Sequence, residues 1–282
     1  MIKKKIDKAR AVSFVFLLLM AIIYVIPILW AFTSAFKDDN EVNRAGGYLL
    51  LPQTWTLANF AELLSPGNVQ APVYRWLLNS AFASSSHAIL AIIVVSMAAY
   101  AYSKLHFRGR DLLFLTVLFI SSFPGIVNIV PMFGMMFTFG WVNTPAALIF
   151  PGLAGVFNIF LVRQFMAGIP DSMVEAAKID GAGEIRIYLN IIMPMLKPIL
   201  TVIGIFSFTG NWNDFLWPSV IMRDIHRLTL TAGLQLARGT YGTYISKISA
   251  ISVIAIVPMI ILYCCAEKLF VRGVSISAGV KG

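Results

Sequence analysis

The chain has 282 residues, of which 59% are hydrophobic and 12% charged, with a mean hydropathy of +0.81 and a formal net charge of +9. A soluble domain carries about a quarter charged residues, so this composition excludes one and predicts a polytopic membrane protein. The positive charge does not predict a nucleic-acid binder, because the basic residues sit between apolar runs with no aromatic–basic patch, the pattern of charge that flanks membrane spans.

A helix needs about 20 apolar residues to cross the hydrocarbon core. Six runs of that order predict an all-α fold with spans near residues 12–36, 77–103, 111–137, 145–165, 199–221 and 248–270, between an N-terminal tail (1–11) and a C-terminal tail (273–282). The basic start MIKKKIDKAR resembles the head of a signal peptide. Its apolar run is too long for one, however, and no A-x-A-like site follows, so the first span is predicted to be retained.

In the third span Ser121, Ser122, Pro124, Gly125, Asn128 and Pro131 crowd into about three turns. Irregular backbone at bilayer depth is tolerated where it is buried in protein or lines water. Ser122 and Asn128 are therefore candidates to face a substrate path; a plain proline kink packed by serines reads the same residues structurally.

The segment 166–197 is polar among apolar neighbours. Ser172 followed by Glu175 fits a capping box, so a short helix is predicted to begin just after Pro170 and Asp171 and to end at Gly181. A second helix from about Gly183 is predicted to run into Pro194. Ala176 and Ala177 are small enough to let a partner come close. Read structurally, they are only good helix formers and Glu175 only completes the cap.

Near the end of the fifth span, "NWNDFLWP" places Asn211, Trp212, Asn213 and Asp214 together. Amides and a carboxylate beside an aromatic face suit sugar hydroxyls. The competing reading puts Trp212 and Trp217 in an interfacial belt and has Asp214 bond a neighbouring helix.

Orientation follows from the basic residues. With the N-terminus inside, Lys3, Lys4, Lys5, Lys8, Arg10, Lys104, Arg108, Arg110, Arg163, Lys178, Arg186, Lys197, Lys268, Arg272 and Lys281 fall on the cytoplasmic side. They outnumber Lys37, Arg44, Arg75, Arg223, Arg227, Arg238 and Lys247 outside, so both termini and the 166–197 segment are predicted to be cytoplasmic. Cys264 and Cys265 are adjacent in an apolar run, where neighbouring residues cannot readily bridge, and are read as hydrophobes. No G-x-x-x-x-G-K-[ST] phosphate loop is present, no acid/His/Cys cluster has metal spacing, and His87, His106 and His226 are scattered. No cofactor is expected on this chain.

Glu175-Ala176-Ala177, then Gly181, Ile191 and Met193-Pro194, resembles the EAA loop of ABC-transporter permeases, with Met193 where leucine is commoner. "FPGIVNIVPMF", "GWVNTPAALIFPGL", "FLVRQFMAGIPDSMVEAAKIDGA", "NWNDFLWPSVIMRD", "LTLTAGLQ" and "FVRGVSISAGVKG" are similar to the carbohydrate-uptake branch, specifically the smaller, six-span, maltose-transporter-like subunit.

The resemblance implies that Glu175, Ala176, Ala177, Asp180 and Gly181 dock in a cleft of an ATP-binding subunit, with the C-terminal Gly279, Val280, Lys281 and Gly282 as a second contact. It further implies a second permease subunit, two ATP-binding subunits holding ATP and Mg, an external or periplasmic solute-binding protein, an oligosaccharide substrate and the bacterial inner membrane. The segment Met222 to Lys247 would meet the binding protein; its basic residues read as ordinary interfacial charge, with docking of an acidic partner or attraction of a uronate-containing sugar as the functional alternatives. An ion- or proton-coupled secondary transporter would need mid-membrane titratable residues and paired interrupted helices, and neither stands out. A membrane enzyme lacks a catalytic cluster.

Overall fold

The computed structural model describes residues 8–43, 49–242 and 244–279, with side chains described over 10–43, 49–242 and 244–265. The described residues are helical, with no strand among them. The longer helices are α1 (Lys8–Ser34), α2 (Val73–Lys104), α3 (Arg110–Ser121), α4 (Ile129–Thr138), α5 (Val156–Met166), α6 (Asp171–Ile179), α7 (Glu184–Asn213), α8 (Leu230–Thr240) and α9 (Ile245–Gly279).

Four of these are long and apolar enough to cross a bilayer: α1, α2, α7 and the Ile245–Cys265 part of α9. The expected third span is broken. α3 ends at Ser121, a 3₁₀ turn covers Gly125–Asn128, and the chain leaves through α4 at 92° to its entry. Pro124 causes the break: it has no N–H to continue the ladder and sits at φ −56, ψ 121, outside the helical region. Counting that bent pair as one gives five candidate spans.

The expected fourth span, 145–165, differs more. Ala146–Ile149 is a single helical turn, Pro151 and Gly152 interrupt it with Gly152 at φ +80, and α5 has 11 residues. Eleven residues rise only about 16 Å, against a core about 30 Å thick. The apolar count of that run was sufficient; its backbone is not continuous. At the C-terminus α9 runs on through Gly279, so the expected tail from 273 starts inside a helix, and Val280, Lys281 and Gly282 lie outside the described residues.

The chain divides into two compact units, Met1–Tyr74 with Leu234–Val257, and Arg75–Gly233 with Pro258–Gly282. In the first, Asn59 donates to the carbonyls of Ala35 (3.0 Å) and Lys37 (2.8 Å), and the buried Lys37 ammonium donates to Leu49 O at 2.5 Å. The Lys247 ammonium pairs with Glu62 at 2.6 Å and lies 5.1 Å from the ring centres of both Tyr241 and Tyr244. These groups line an open cleft of about 780 Å³.

In the second unit α2, α3, α5, α6 and α7 share a core that includes Val95, Ala99, Phe114, Val162, Met166, Ile187, Leu196 and Ile203. The N-terminal end of α2 serves the irregular chain ahead of α8. Trp76 Nε1 donates to Ile225 O at 2.6 Å, Asn79 Nδ2 donates to His226 O and Leu228 O at 2.9 Å, and Ser80 Oγ accepts from the Leu230 N–H at 2.8 Å.

Gly233 lies against the fully buried Trp76 face, where a Cβ would come within 2.3 Å of indole carbons. Gly233→Ala must therefore displace the ring, at a cost of about 1–3 kcal/mol. The expected outcome is a fall of several degrees in the Tm of the detergent-solubilised protein, read by scanning fluorimetry, despite the gain in helix propensity that alanine brings.

Candidate functional site

The polar segment folds as a helical hairpin. Pro170, at φ −59 and ψ 133, enters α6, and no side chain caps the helix. The expected capping box of Ser172 and Glu175 is not formed. The helix starts a residue earlier, at Asp171, whose carboxylate accepts from Lys104 Nζ at 2.5 Å while the same ammonium donates to Ile169 O at 2.6 Å. A long-range ionic contact to the end of α2 thus sets the start that local capping was expected to set.

Gly181 closes α6 as the sequence predicts. It sits at φ +78, and its N–H donates to Lys178 O (3.0 Å) while that of Ala182 reaches back to Ala177 O (2.9 Å). This is the Schellman arrangement, in which a left-handed residue satisfies the last carbonyls of a helix. A Cβ at Gly181 meets nothing within 4 Å, so the cost of any residue but proline is conformational, about 1–2 kcal/mol.

Of the predicted contact residues, Glu175, Ala176, Asp180 and Gly181 are exposed; Ala177 is buried with Val174 against the core. Beside them stand two apolar side chains that sequence reasoning passed over, Ile179 at 87% and Ile185 at 76% exposure. Ile185 also lines an open groove with Gly183, Glu184, Arg186, Leu189 and Asn190.

The second arm is not a separate helix ending at Pro194. Glu184–Asn213 is one 30-residue helix that passes through Pro194 and Pro198. A π turn at Tyr188–Ile192 makes this possible, because the wider turn shifts the hydrogen-bond register just before Pro194, which then sits where an α-segment's first N–H groups have no partner to lose.

The side chains named for a substrate path have differing surroundings. Ser122 and Asn128 are exposed at the α3–α4 break, and Ser122 Oγ donates to Leu118 O at 3.2 Å. Asn211 accepts from Ser84 Oγ (3.0 Å) and donates to Leu148 O (2.9 Å), so both ends of its amide serve packing. Trp212 is buried and stacks on Phe208 at 5.5 Å, whereas Asn213 is exposed. Asp214 terminates α7, and its carboxylate accepts from the N–H groups of Leu216 (3.0 Å) and Trp217 (3.3 Å), starting the short helix Leu216–Ile221. Ahead of α8, Arg227 donates to Asn143 O at 2.5 Å.

Residues 95–275 match the family described as the binding-protein-dependent transport system inner membrane component. The chain belongs to that family. The permease is 33% identical over 264 residues to the arabinooligosaccharides transport system permease protein AraQ of Halalkalibacterium halodurans, covering 93% of either chain. It is 31% identical to the diacetylchitobiose uptake system permease protein NgcG of Streptomyces coelicolor, over 94% of its own length and 87% of that protein's. With the sn-glycerol-3-phosphate transport system permease protein UgpE of Escherichia coli O6:K15:H31 the identity is 30%, over 93% and 94%. Its fold matches a chain from the crystal structure of a bacterial ABC transporter involved in the import of the acidic polysaccharide alginate, with a TM-score of 0.82 at 24% identity, covering 96% of this chain and 99% of that one.

The hydrogen bond from Lys104, with its charge, holds the exposed Asp171 carboxyl below its ordinary value of 3.8. A depressed folded-state pKa means that the bridge contributes fully above the ordinary carboxylate range and is lost only as pH falls through the lowered value. Hydrogen exchange in 167–183, corrected for the intrinsic rate, is expected to stay constant from pH 7 to about 5. Asp171→Asn should speed it about twofold to fivefold across that window.

Proposed function

We propose that the permease is one membrane subunit of a binding-protein-dependent ABC importer that carries an oligosaccharide across the bacterial cytoplasmic membrane. A second permease subunit faces it across the path, a solute-binding protein delivers the sugar outside, and two ATP-binding subunits inside hold ATP and Mg and supply the energy. Both termini and the hairpin lie on the cytoplasmic side, in a chain that crosses the membrane six times.

The hairpin is the seat of the ATP-binding subunit. The single observation that carries this reading is its geometry: a Schellman turn at Gly181 joins the short α6 to the start of α7, and beside that turn Ile179 and Ile185 stand out to solvent. Apolar side chains on a polar protrusion are costly to leave in water and gain from a partner's pocket. Glu175, Ala176 and Asp180 complete the exposed face, and Gly181 keeps its shape. Gly279, Val280, Lys281 and Gly282 supply the second contact.

An oligosaccharide is favoured because two of the relatives are named for arabinooligosaccharides and diacetylchitobiose. Ser122, Asn128, Asn211, Trp212, Asn213 and Asp214 remain the proposed path, with Asn213 and Asn128 foremost as exposed amides. Of the basic residues near the last outer segment, Lys247 is paired with Glu62, which leaves its charge neutralised within the chain.

Ile179→Asp and Gly181→Pro are expected to leave insertion and pairing with the second permease intact and to lower co-purification of the ATP-binding subunits at least tenfold, the loss expected for a central interface anchor. Undiminished recovery with normal uptake would refute the docking role. Placement is tested separately: a membrane-impermeant amine reagent applied to intact cells should leave Lys178 unlabelled.

A further inference from the structure

We propose that Tyr100, Lys104 and Glu184 are positioning residues that clamp the hairpin to α2, so that hairpin and α2 move as one body when the ATP-binding subunits close. The proposal rests on the docking reading above and adds what transmits the motion.

The hairpin is fastened to the same helix at both of its ends. At its entry, Lys104 Nζ holds Asp171 Oδ1 at 2.5 Å and Ile169 O at 2.6 Å, and the lysine is buried. At its turn, Glu184 is bidentate between the two arms and α2: Oε2 accepts from the Tyr100 hydroxyl at 2.6 Å, and Oε1 pairs with Lys178 of α6, also at 2.6 Å. One turn further along α7, the Tyr188 hydroxyl donates to Ser96 Oγ at 2.7 Å, since the serine's own proton goes to Ile92 O at 2.6 Å. The Tyr100 and Tyr188 rings lie 5.3 Å apart between these bonds.

Ser96, Tyr100 and Lys104 follow one another at intervals of four residues, which places them on one face of α2. That face meets the hairpin, and beneath the polar clamps Val95 and Ala99 pack in the same core as Val174, Ala177 and Ile187. A force applied at Ile179 and Ile185 therefore reaches α2 through the Lys104–Asp171 ion pair, the Tyr100–Glu184 hydrogen bond and a packed core.

Hydrogen bonds to charged groups weaken coupling strongly when one partner is removed. Tyr100→Phe keeps the ring and deletes the hydroxyl, and Asp171→Asn deletes the charge at the other clamp. The wild-type chain and the double variant are reconstituted in liposomes with all partner subunits, binding protein and sugar. The variant is expected to recruit the ATP-binding subunits normally and to hydrolyse ATP, while sugar delivered per ATP falls about tenfold.

Glu184→Gln, which retains an acceptor for Tyr100 and loses the charge facing Lys178, should fall in between and serves where the double variant assembles poorly. Nitroxides at Met97→Cys on α2 and Ser172→Cys on α6, with Cys264 and Cys265 replaced by alanine, give the second readout. Their distance should be the same with and without ATP in the otherwise wild-type chain and should broaden in the Tyr100→Phe/Asp171→Asn background.

An unchanged sugar-to-ATP ratio in the variants, or a wild-type distance that shifts by several ångströms between nucleotide states, overturns the clamp while leaving the docking reading in place. Failure of the wild-type chain to recruit the ATP-binding subunits overturns the docking reading instead.

Discussion

An interrupted helix in an apolar medium leaves backbone carbonyls and N–H groups that something must satisfy, and this constraint organises the second unit. α2 answers most of it. Trp76, Asn79 and Ser80 serve residues 225–230, His87 meets Ile149 O at 2.7 Å, and Lys104 takes Ile169 O. From the other side Asn211 and Trp217 take Leu148 O and Ala147 O, at 2.9 and 2.8 Å. In the broken stretch around 145–155 the carbonyls of Ala147, Leu148 and Ile149 are received by side chains of the helix that follows α7, of α7 and of α2.

This explains why α2 carries so many polar residues on a helix 32 residues long. Trp76, Ser80, Ser84 and His87, and again Ser96, Tyr100 and Lys104, recur at three- and four-residue intervals and are buried. They form two hydrogen-bonding rows about half a turn apart round the helix. The N-terminal row holds irregular backbone in place, and the C-terminal row holds the hairpin. Burying each of these groups alone would be costly; their hydrogen-bond partners remove that cost.

Much of this architecture can be read from the sequence where the signal is local. Apolar run length locates α1, α2 and the apolar part of α9, and Gly181 marks its turn because an L-residue resists a φ of +78. What escapes is long-range. Nothing near Ser172 and Glu175 tells that Asp171 is claimed by a lysine 67 positions away, and so a plausible cap is not made. Pro194 looks like a stop until the π turn before it is known. Hydropathy over 145–165 counts side chains and is blind to the backbone break at Pro151 and Gly152, and the candidate path residues divide for the same reason: Asn211 is occupied by partners more than sixty residues distant, which spacing could not reveal.

The π turn sets an angle as well as admitting a proline. A turn of that kind holds an additional residue, and along a helix each residue is worth about 100° of rotation. Without it, the face of α7 bearing Glu184 would be swung about 100° relative to the face bearing Asn211 and Trp212, and Glu184 would no longer look at Tyr100. Five residues at the root of the helix thus fix the azimuth between the end that is gripped and the end that bears Asn211 and Trp212.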